Sequence, residues 1–260
     1  MSPRGGPAGS AGLGGEQVEG IRAVEALLTA GRRRVRSVWL APGRDDHARH
    51  DALERLAAAN GVRVRHVDRS RLMAEARTDA PQGVLARAEP VAPADFDALL
   101  TERDAFLVAL DGVTDPGNLG AILRVAGAAG ATGVVIPRHR AAPLTPAAVK
   151  AAAGAVEHVP VAVVSGIPAA LERAVRAEVW TVGLAAEGTT SVFELEVADR
   201  PVMLVLGAEG RGLARLTRDR CDLLAAIPLP GAVDSLNVAT AAAVACFEVV
   251  RRRGATRGSG

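Results

Sequence analysis

Leu110-Asp-Gly-Val-Thr-Asp-Pro-Gly-Asn-Leu-Gly-Ala-Ile-Leu-Arg124 decides the architecture. An apolar run, Phe106 to Leu110, stops in a turn built from Gly, Pro and Asp, and the chain reopens at helical spacing with Ile122, Val125, Ala126 and Ala129 on one inward stripe. Strand, sharp turn, helix is the repeating unit of open α/β sheets, whose ligands bind at the carboxyl edge of the strands. Asn118 falls near the helix start and Arg124 points away from the stripe. Gly120 lies one turn before Arg124 on the same face, which leaves room for a ligand beside the guanidinium. An exposed helical arginine and a tight-turn glycine would produce the same pattern.

Further apolar runs extend the sheet: Val134 to Ile136, Val161 to Val164, Trp180 to Val182 and Val202 to Leu206 alternate with helical segments. Continuous apolar strands of this kind predict a parallel sheet covered on both faces. Upstream, Ile21, Val24, Leu27 and Leu28 recur at helical spacing up to Gly31, and Val35 to Leu40 reads as a strand. Asp46 to Asn60 predicts a helix, Val62 to Val67 a strand, and a short helix and a strand around Gln82 to Arg87 complete a small α/β unit. Glu89-Pro-Val-Ala-Pro93 disfavours regular structure and marks a linker on which the two parts can pivot. The expected organisation is a disordered leader over 1–15, a small domain over 16–88, a linker and the start of the larger domain over 89–104, the larger domain over 105–252, and a flexible tail over 253–260.

Two more segments bear chemistry. Val202-Met-Leu-Val-Leu-Gly-Ala-Glu-Gly-Arg-Gly-Leu213 is a strand running into a glycine-dense loop with one carboxylate, Glu209. Its glycines at 207, 210 and 212 depart from the dinucleotide-binding spacing, so it reads as a backbone-lined ligand loop or as a plain sharp turn. Ile227-Pro-Leu-Pro-Gly-Ala-Val-Asp-Ser-Leu-Asn-Val-Ala-Thr240 is a rigid loop entering the last helix, with Ser235 placed as its N-cap and Asn237 in its first turn. That helix carries Leu236, Thr240, Ala243, Phe247 and Val250 on a small, smooth apolar face suited to close packing. Arg251, Arg252 and Arg253 behind it read as a solvated helix end, complementing the helix dipole, or as an RNA contact.

Composition removes several classes of function. The 260 residues are 49% hydrophobic and 23% charged, the balance of a packed globular protein. Two cysteines, Cys221 and Cys246, make neither a zinc site nor a disulfide framework and suit a reducing cytoplasm. Metal-ligand spacing is absent, as is a Gly-x-Ser-x-Gly elbow, which argues against metalloenzymes and serine hydrolases. The most apolar stretch, Val238 to Val250, is interrupted by Glu248 and is shorter than the about 20 residues of a membrane span.

With no tyrosine and 2% aromatic residues, few rings are present on which bases could stack, so an RNA partner would be held by arginine. The net charge of +2 is uninformative, but its distribution is not. Residues 16 to 90 hold 14 basic and 11 acidic side chains, a net of +3, and residues 105 to 250 hold 11 basic and 14 acidic, a net of −3. Arg32, Arg33, Arg34 and Arg36, followed by Arg63, Arg65, Arg69 and Arg71, make either a phosphate-binding face or a solvated surface.

Taken in order, Asn118-x-Gly-x-x-x-Arg124, Leu-Gly-Ala-Glu-Gly-x-Gly-Leu213 and Ile-Pro-x-x-Gly-x-x-x-Ser-Leu-Asn-Val238 closely resemble the three motifs of the SpoU/TrmH-type RNA 2′-O-ribose methyltransferases of the SPOUT superfamily. The resemblance covers residues 105 to 252. Residues 18 to 88 are more weakly similar to the ribosomal-protein-like domain with which many members bind RNA. There Gln82 and Gly83 match, while Pro81 stands where a histidine is common, a departure that bears on substrate choice. The resemblance implies a trefoil knot in the C-terminal part and S-adenosylmethionine held at Gly207, Ile227 and Leu236. It also implies a catalytic set of Asn118, Arg124, Glu209, Ser235 and Asn237, and a homodimer. The implied reaction is methylation of a ribose 2′-hydroxyl, with a guanosine of large-subunit ribosomal RNA as the leading substrate. Transfer RNA and an antibiotic-resistance site on ribosomal RNA come behind it. A noncatalytic RNA-binding or ribosome-assembly factor and a nucleotide-binding oxidoreductase are the readings from other classes, and binding of S-adenosylmethionine against NAD separates them.

Overall fold

The structure, a computed structural model, describes residues 12–42 and 47–257. The first part of the chain contains β1 (Gln17–Glu19), α1 (Ile21–Ala30), β2 (Val35–Leu40), α2 (His47–Ala59), β3 (Val64–His66), α3 (Arg69–Glu75) and β4 (Val84–Ala88). The second contains α4 (Phe96–Leu100), β5 (Phe106–Asp111), α5 (Pro116–Ala128), β6 (Gly133–Pro137), α6 (Pro146–Ala151), β7 (Val161–Val164), α7 (Ile167–Arg176), β8 (Trp180–Leu184) and β9 (Thr190–Ser191). It continues through β10 (Val202–Gly207), α8 (Arg215–Asp219), β11 (Leu223–Ala226) and α9 (Val238–Arg257).

The sheet of the first part has the order β1-β4-β2-β3, with β2 and β3 parallel and the other pairs antiparallel. Its helix α1 forms for the reason its spacing predicts: Ile21, Val24, Leu27 and Leu28 are buried on one face, and Gly31 takes the left-handed conformation at φ 59° that ends the helix. The larger sheet is parallel throughout and runs β7-β6-β5-β10-β8-β11-β9. Its central strands β5 and β10 pair from Phe106–Val202 to Asp111–Gly207, and their interior residues are wholly buried. Such strands place their carboxyl ends, and the loops that follow, at one shared edge.

Several expectations about boundaries are corrected. The expected leader reaches Gly15; residues 1–11 lie outside the described residues, but Leu13 N donates to Val91 O and Val91 N to Gly14 O. The expected helix start at Asp46 also lies outside them. The linker does not hang free, because Glu89 N donates to Arg34 O and Ala94 N to Val161 O. The expected tail begins at 253, yet α9 continues to Arg257, and 258–260 lie outside the described residues. Arg253 is no solvated helix end: it donates to the carbonyls of Asp104, Ala105, Ala198 and Arg200, and its guanidinium lies 5.3 Å from the centre of the Phe106 ring. Arg251 and Arg252 both pair with the buried Glu248.

Gly120 has a packing role instead of the ligand role its spacing predicts. A Cβ there would overlap the carbonyl oxygen of Ala148 and approach Ala151 Cβ within 2.6 Å. The missing side chain therefore admits α6 against α5 rather than a ligand beside Arg124.

Candidate functional site

Three loops converge at the carboxyl edge of β5 and β10. In the first, Asp115 accepts from Asn118 N at 2.7 Å and Pro116 takes the first helical position, so α5 begins abruptly with Asn118 in its opening turn. In the second, the chain reverses as soon as β10 ends. Ala208 N donates to Gly212 O at 3.0 Å and Gly212 N to Ala208 O at 2.8 Å, and a Cβ on Gly207 would overlap the backbone of Gly212 and Leu213. Asp111 Oδ2 accepts from Ala214 N at 2.9 Å and ties the far end of this turn back to β5. Glu209 is thereby left exposed on the turn.

The third loop brings Asn237, which serves two purposes at once. Its Oδ1 accepts from Ala239 N at 2.9 Å and Thr240 N at 3.4 Å, so it is the N-cap of α9. Ser235 was expected to cap this helix; it is instead in the loop, exposed, with its hydroxyl donating to Asp234 Oδ1 at 3.2 Å. The Asn237 Nδ2 donates to Glu209 Oε1 at 2.6 Å and to Asn118 Oδ1 at 3.0 Å. Asn118, Glu209 and Asn237 thus form one hydrogen-bonded cluster, and it is charge-assisted at the carboxylate. Arg124 stands apart. It is exposed, it lies six residues along α5 from Asn118, about 9 Å along the axis at ~1.5 Å per residue, and no bond joins it to the cluster.

Gly207, Ile227 and Leu236 all line one cavity of about 370 Å³, together with Leu184 and Leu229. Its walls are mostly backbone and aliphatic carbon, with Ser235 and Glu209 at the same site, and the size is that of ordinary small-molecule sites. The donor set suits S-adenosylmethionine. Backbone of the 207–213 turn can meet polar adenosine and amino-acid groups, aliphatic side chains can cover the adenine, and the Glu187 carboxylate on this lining is already paired with Arg218.

The four arginines of the expected RNA face separate. Arg33 is buried: it forms a two-pronged ion pair with Glu157, at 3.0 and 2.5 Å, and donates to Gly15 O and Glu89 O. Arg32 donates to His158 O at 3.2 Å, whereas Arg34 and Arg36 are exposed. Arg33 is therefore a fastening between the two sheets' layers and not part of an open phosphate-binding face. Burial pushes the Cys246 thiol up to about 12, and burial, with Asp222 and Asp111 nearby, does the same to Cys221. No cluster of three metal-ligating side chains occurs among the described residues. Asp111 and Asp115, which hold two of the three loops, escaped the reading of the sequence. Asp115 carried a legible signal, an Asp directly before a Pro at a helix start; Asp111 carried none.

Comparison with known proteins agrees with this layout. The SpoU rRNA Methylase family matches residues 105–247, and the RNA 2′-O ribose methyltransferase substrate-binding family matches residues 17–94. A Burkholderia protein named 23S rRNA (guanosine-2′-O-)-methyltransferase RlmB is 46% identical over 239 residues, spanning 91% of this chain and 96% of its own. One of the same name from Pseudomonas syringae pv. tomato is 41% identical over 247 residues, spanning 93% and 98%. Among solved structures, the SpoU methyltransferase AviRb from Streptomyces viridochromogenes in complex with AdoMet superposes with a TM-score of 0.77 at 28% identity, covering 92% of this chain and 90% of that one.

Proposed function

The chain belongs to the SpoU rRNA Methylase family, and from that membership we propose that it transfers the methyl group of S-adenosylmethionine to a ribose 2′-hydroxyl of RNA, at a guanosine of large-subunit ribosomal RNA. The observation that carries the reading is the Asn118–Asn237–Glu209 cluster beside the cavity lined by Gly207, Ile227 and Leu236. When bound, the cofactor supplies an electrophilic methyl group. A ribose hydroxyl is a weak nucleophile that loses its proton as it attacks, so its surroundings must orient it and balance the negative charge. Asn237 holds one oxygen of Glu209, and Oε2 is left to accept the hydrogen bond of the ribose hydroxyl and, as the methyl group is transferred, its proton. Asn118 and Ser235 add neutral hydrogen bonds around the sugar. Arg124 stabilises the developing alkoxide, because a guanidinium stays protonated in proteins and acts as a charge rather than as a base.

The active unit in this reading is a homodimer. Thr240, Phe247 and Val250 are exposed on one side of α9, with Ala243 half-buried between them among the described residues, Phe247 being 48% and Val250 38% exposed. A two-fold contact of this face with its mate is ordinary oligomer symmetry, and it brings residues remote from the cluster, such as Arg124, near a second site. Light scattering at micromolar concentration that returned only the 26.6 kDa of one chain would overturn the dimer.

A trefoil knot is the proposed path of the C-terminal part. Its support is the connection between β8 and β9, which spans β11 and crosses it closely: a Cβ on Gly188 would lie 2.5 Å from the carbonyl carbon of Ala225. Such threading is an exception to the way chains ordinarily connect strands. Substrate selection falls to residues 16–88 and chemistry to 105–252, acting in the cytoplasm. No helix among the described residues is long and apolar enough to cross a membrane.

The deciding experiment is mapping of ribose methylation in total RNA from cells with and without the protein, with the purified chain then tested on the RNA identified. Loss of one 2′-O-methylguanosine in 23S RNA is the expected result. Methyl transfer to a base atom, or no change in any RNA, would overturn the reading.

A further inference from the structure

A second cavity, of about 750 Å³, opens on the other side of the Glu209 turn, at the carboxyl ends of β5, β6 and β7. It touches Asn118 and Glu209 but none of Gly207, Ile227 or Leu236, so it adjoins the cluster without being the cofactor cavity. Its outer wall is the connection after β6, which carries His139 and Arg140, and the start of α7 at Gly166 and Ile167.

Arg140 has three properties that a chance surface arginine lacks in combination. Its φ is 60°, in the left-handed region that disfavours a residue with a Cβ, and such outliers persist where the surroundings enforce them. The connection is fastened on either side of it, by Arg138 N donating to Val164 O at 2.8 Å and Ala142 N to Val113 O at 3.0 Å. Its guanidinium is exposed and bonds to no described residue. The backbone is thus held in a costly shape that presents an uncommitted cation at the mouth of the cleft. Beside it, α7 starts at Gly166 with no side chain capping its first amides, so the local field also favours an anion. Thr217 lines the same cleft with its hydroxyl buried and unpartnered among the described residues, a polar group that a ligand would satisfy.

We propose that this cleft receives the RNA strand flanking the target ribose and that Arg140 binds the phosphodiester adjacent to it. The placement is suitable. Asn118 follows β5, Arg140 follows the neighbouring strand β6, and both line this cleft with Glu209, so a strand whose target ribose lies at Asn118 and Glu209 runs on toward Arg140. Arg140 would position RNA, and it takes no part in moving the methyl group. This inference rests on the methyl-transfer reading, and equilibrium RNA binding separates the two.

The test uses the full chain and a synthetic hairpin of 23S RNA carrying the candidate guanosine, with either natural linkages or a neutral methylphosphonate next to it. Arg140→Gly removes the guanidinium while keeping a backbone that accepts φ 60°, and Arg140→Lys keeps the charge. Arg140→Gly is expected to raise KM and Kd for natural RNA roughly tenfold, the scale of one charge-assisted hydrogen bond, and to flatten the salt slope of binding by about one. It is expected to leave kcat and S-adenosylmethionine affinity nearly unchanged. Arg140→Lys recovers most of the loss, and the methylphosphonate weakens binding to the wild type but not further to Arg140→Gly. Unchanged Kd and slope in Arg140→Gly, or penalties from the variant and the neutral linkage that simply add, would overturn the proposal. Binding that depends on Arg140 without any methylation would instead overturn the methyl-transfer reading alone.

Discussion

Asn237 and Glu209, 28 residues apart, meet through a 2.6 Å hydrogen bond whose donor amide belongs to the residue that also caps α9. One side chain therefore fixes both the last helix and the only carboxylate of the cluster. Asn237→Asp keeps the capping oxygens but removes the donor and sets a second carboxylate against Glu209. It is expected to keep the thermal midpoint of the wild type while lowering turnover by about a hundredfold, the scale of a lost transition-state contact. Asn237→Ala should lose similar activity and, in addition, about 1 kcal/mol of stability with its cap. Equal stability of the Ala variant and the wild type in urea titrations would show that the cap is dispensable.

Arg124 is exposed and bonds to no described residue, so its removal costs the fold little. Arg124→Ala is expected to reduce turnover at least about a hundredfold with unchanged cofactor affinity. In the proposed dimer, mixing it with Asn237→Asp should restore part of the activity, because one site of each mixed dimer can draw intact groups from both chains. Absence of any recovery after co-refolding would place Arg124 in the site of its own chain.

Arg33 and Glu157 form a buried pair, with side-chain exposures of 8% and 3%. Arg33→Ala leaves a carboxylate buried without its cation and should destabilise by roughly 3–5 kcal/mol, whereas Arg33→Met combined with Glu157→Leu should recover most of that loss. Urea unfolding of the single and double variants checks both statements. Arg34 and Arg36 of this cluster are exposed, and if they contact RNA phosphates their joint replacement by Ala should lower the salt slope of RNA binding by about two. An unchanged slope would make them plain surface.

Glu248 is buried beneath Arg251 and Arg252, and the hydrogen bond from Arg251 above all holds its carboxyl below the usual range. A carboxyl whose folded value is depressed contributes stability above its unfolded value of about 4.3, and that contribution disappears as pH falls through the folded value. The wild type should therefore lose stability on acidification below about pH 4.3 more steeply than Glu248→Gln does. Parallel pH profiles of the two proteins in chemical denaturation would contradict this.

Much of the larger sheet was written locally. Phe106 to Leu110, Val161 to Val164 and Val202 to Leu206 are continuous apolar runs, and a strand buried on both faces can hardly be anything else at that length. Helix α1 and its stop at Gly31 were legible for a similar reason, since spacing and a left-handed cap act within one or two turns. The order of the three motifs identified the family without any knowledge of distance. Strand β11 escaped, because Leu223-Leu-Ala-Ala226 has no alternation and becomes a strand only by lying between β8 and β9.

What only the tertiary structure decided is which groups spend their bonding capacity on one another. Arg32, Arg33 and Arg34 are the same residue in the same local setting, yet Arg33 alone is buried, against a carboxylate 124 residues away. Gly120 looked like room for a ligand until α6 filled it, and Ser235 looked like a cap until Asn237, with its Oδ1 on the amides of α9 and its Nδ2 on Glu209, took that place. Local spacing determines what a residue can donate, accept or bury. The partner that claims it is set by the path of the chain through space, because hydrogen bonds and ion pairs act over a few ångströms irrespective of separation in sequence.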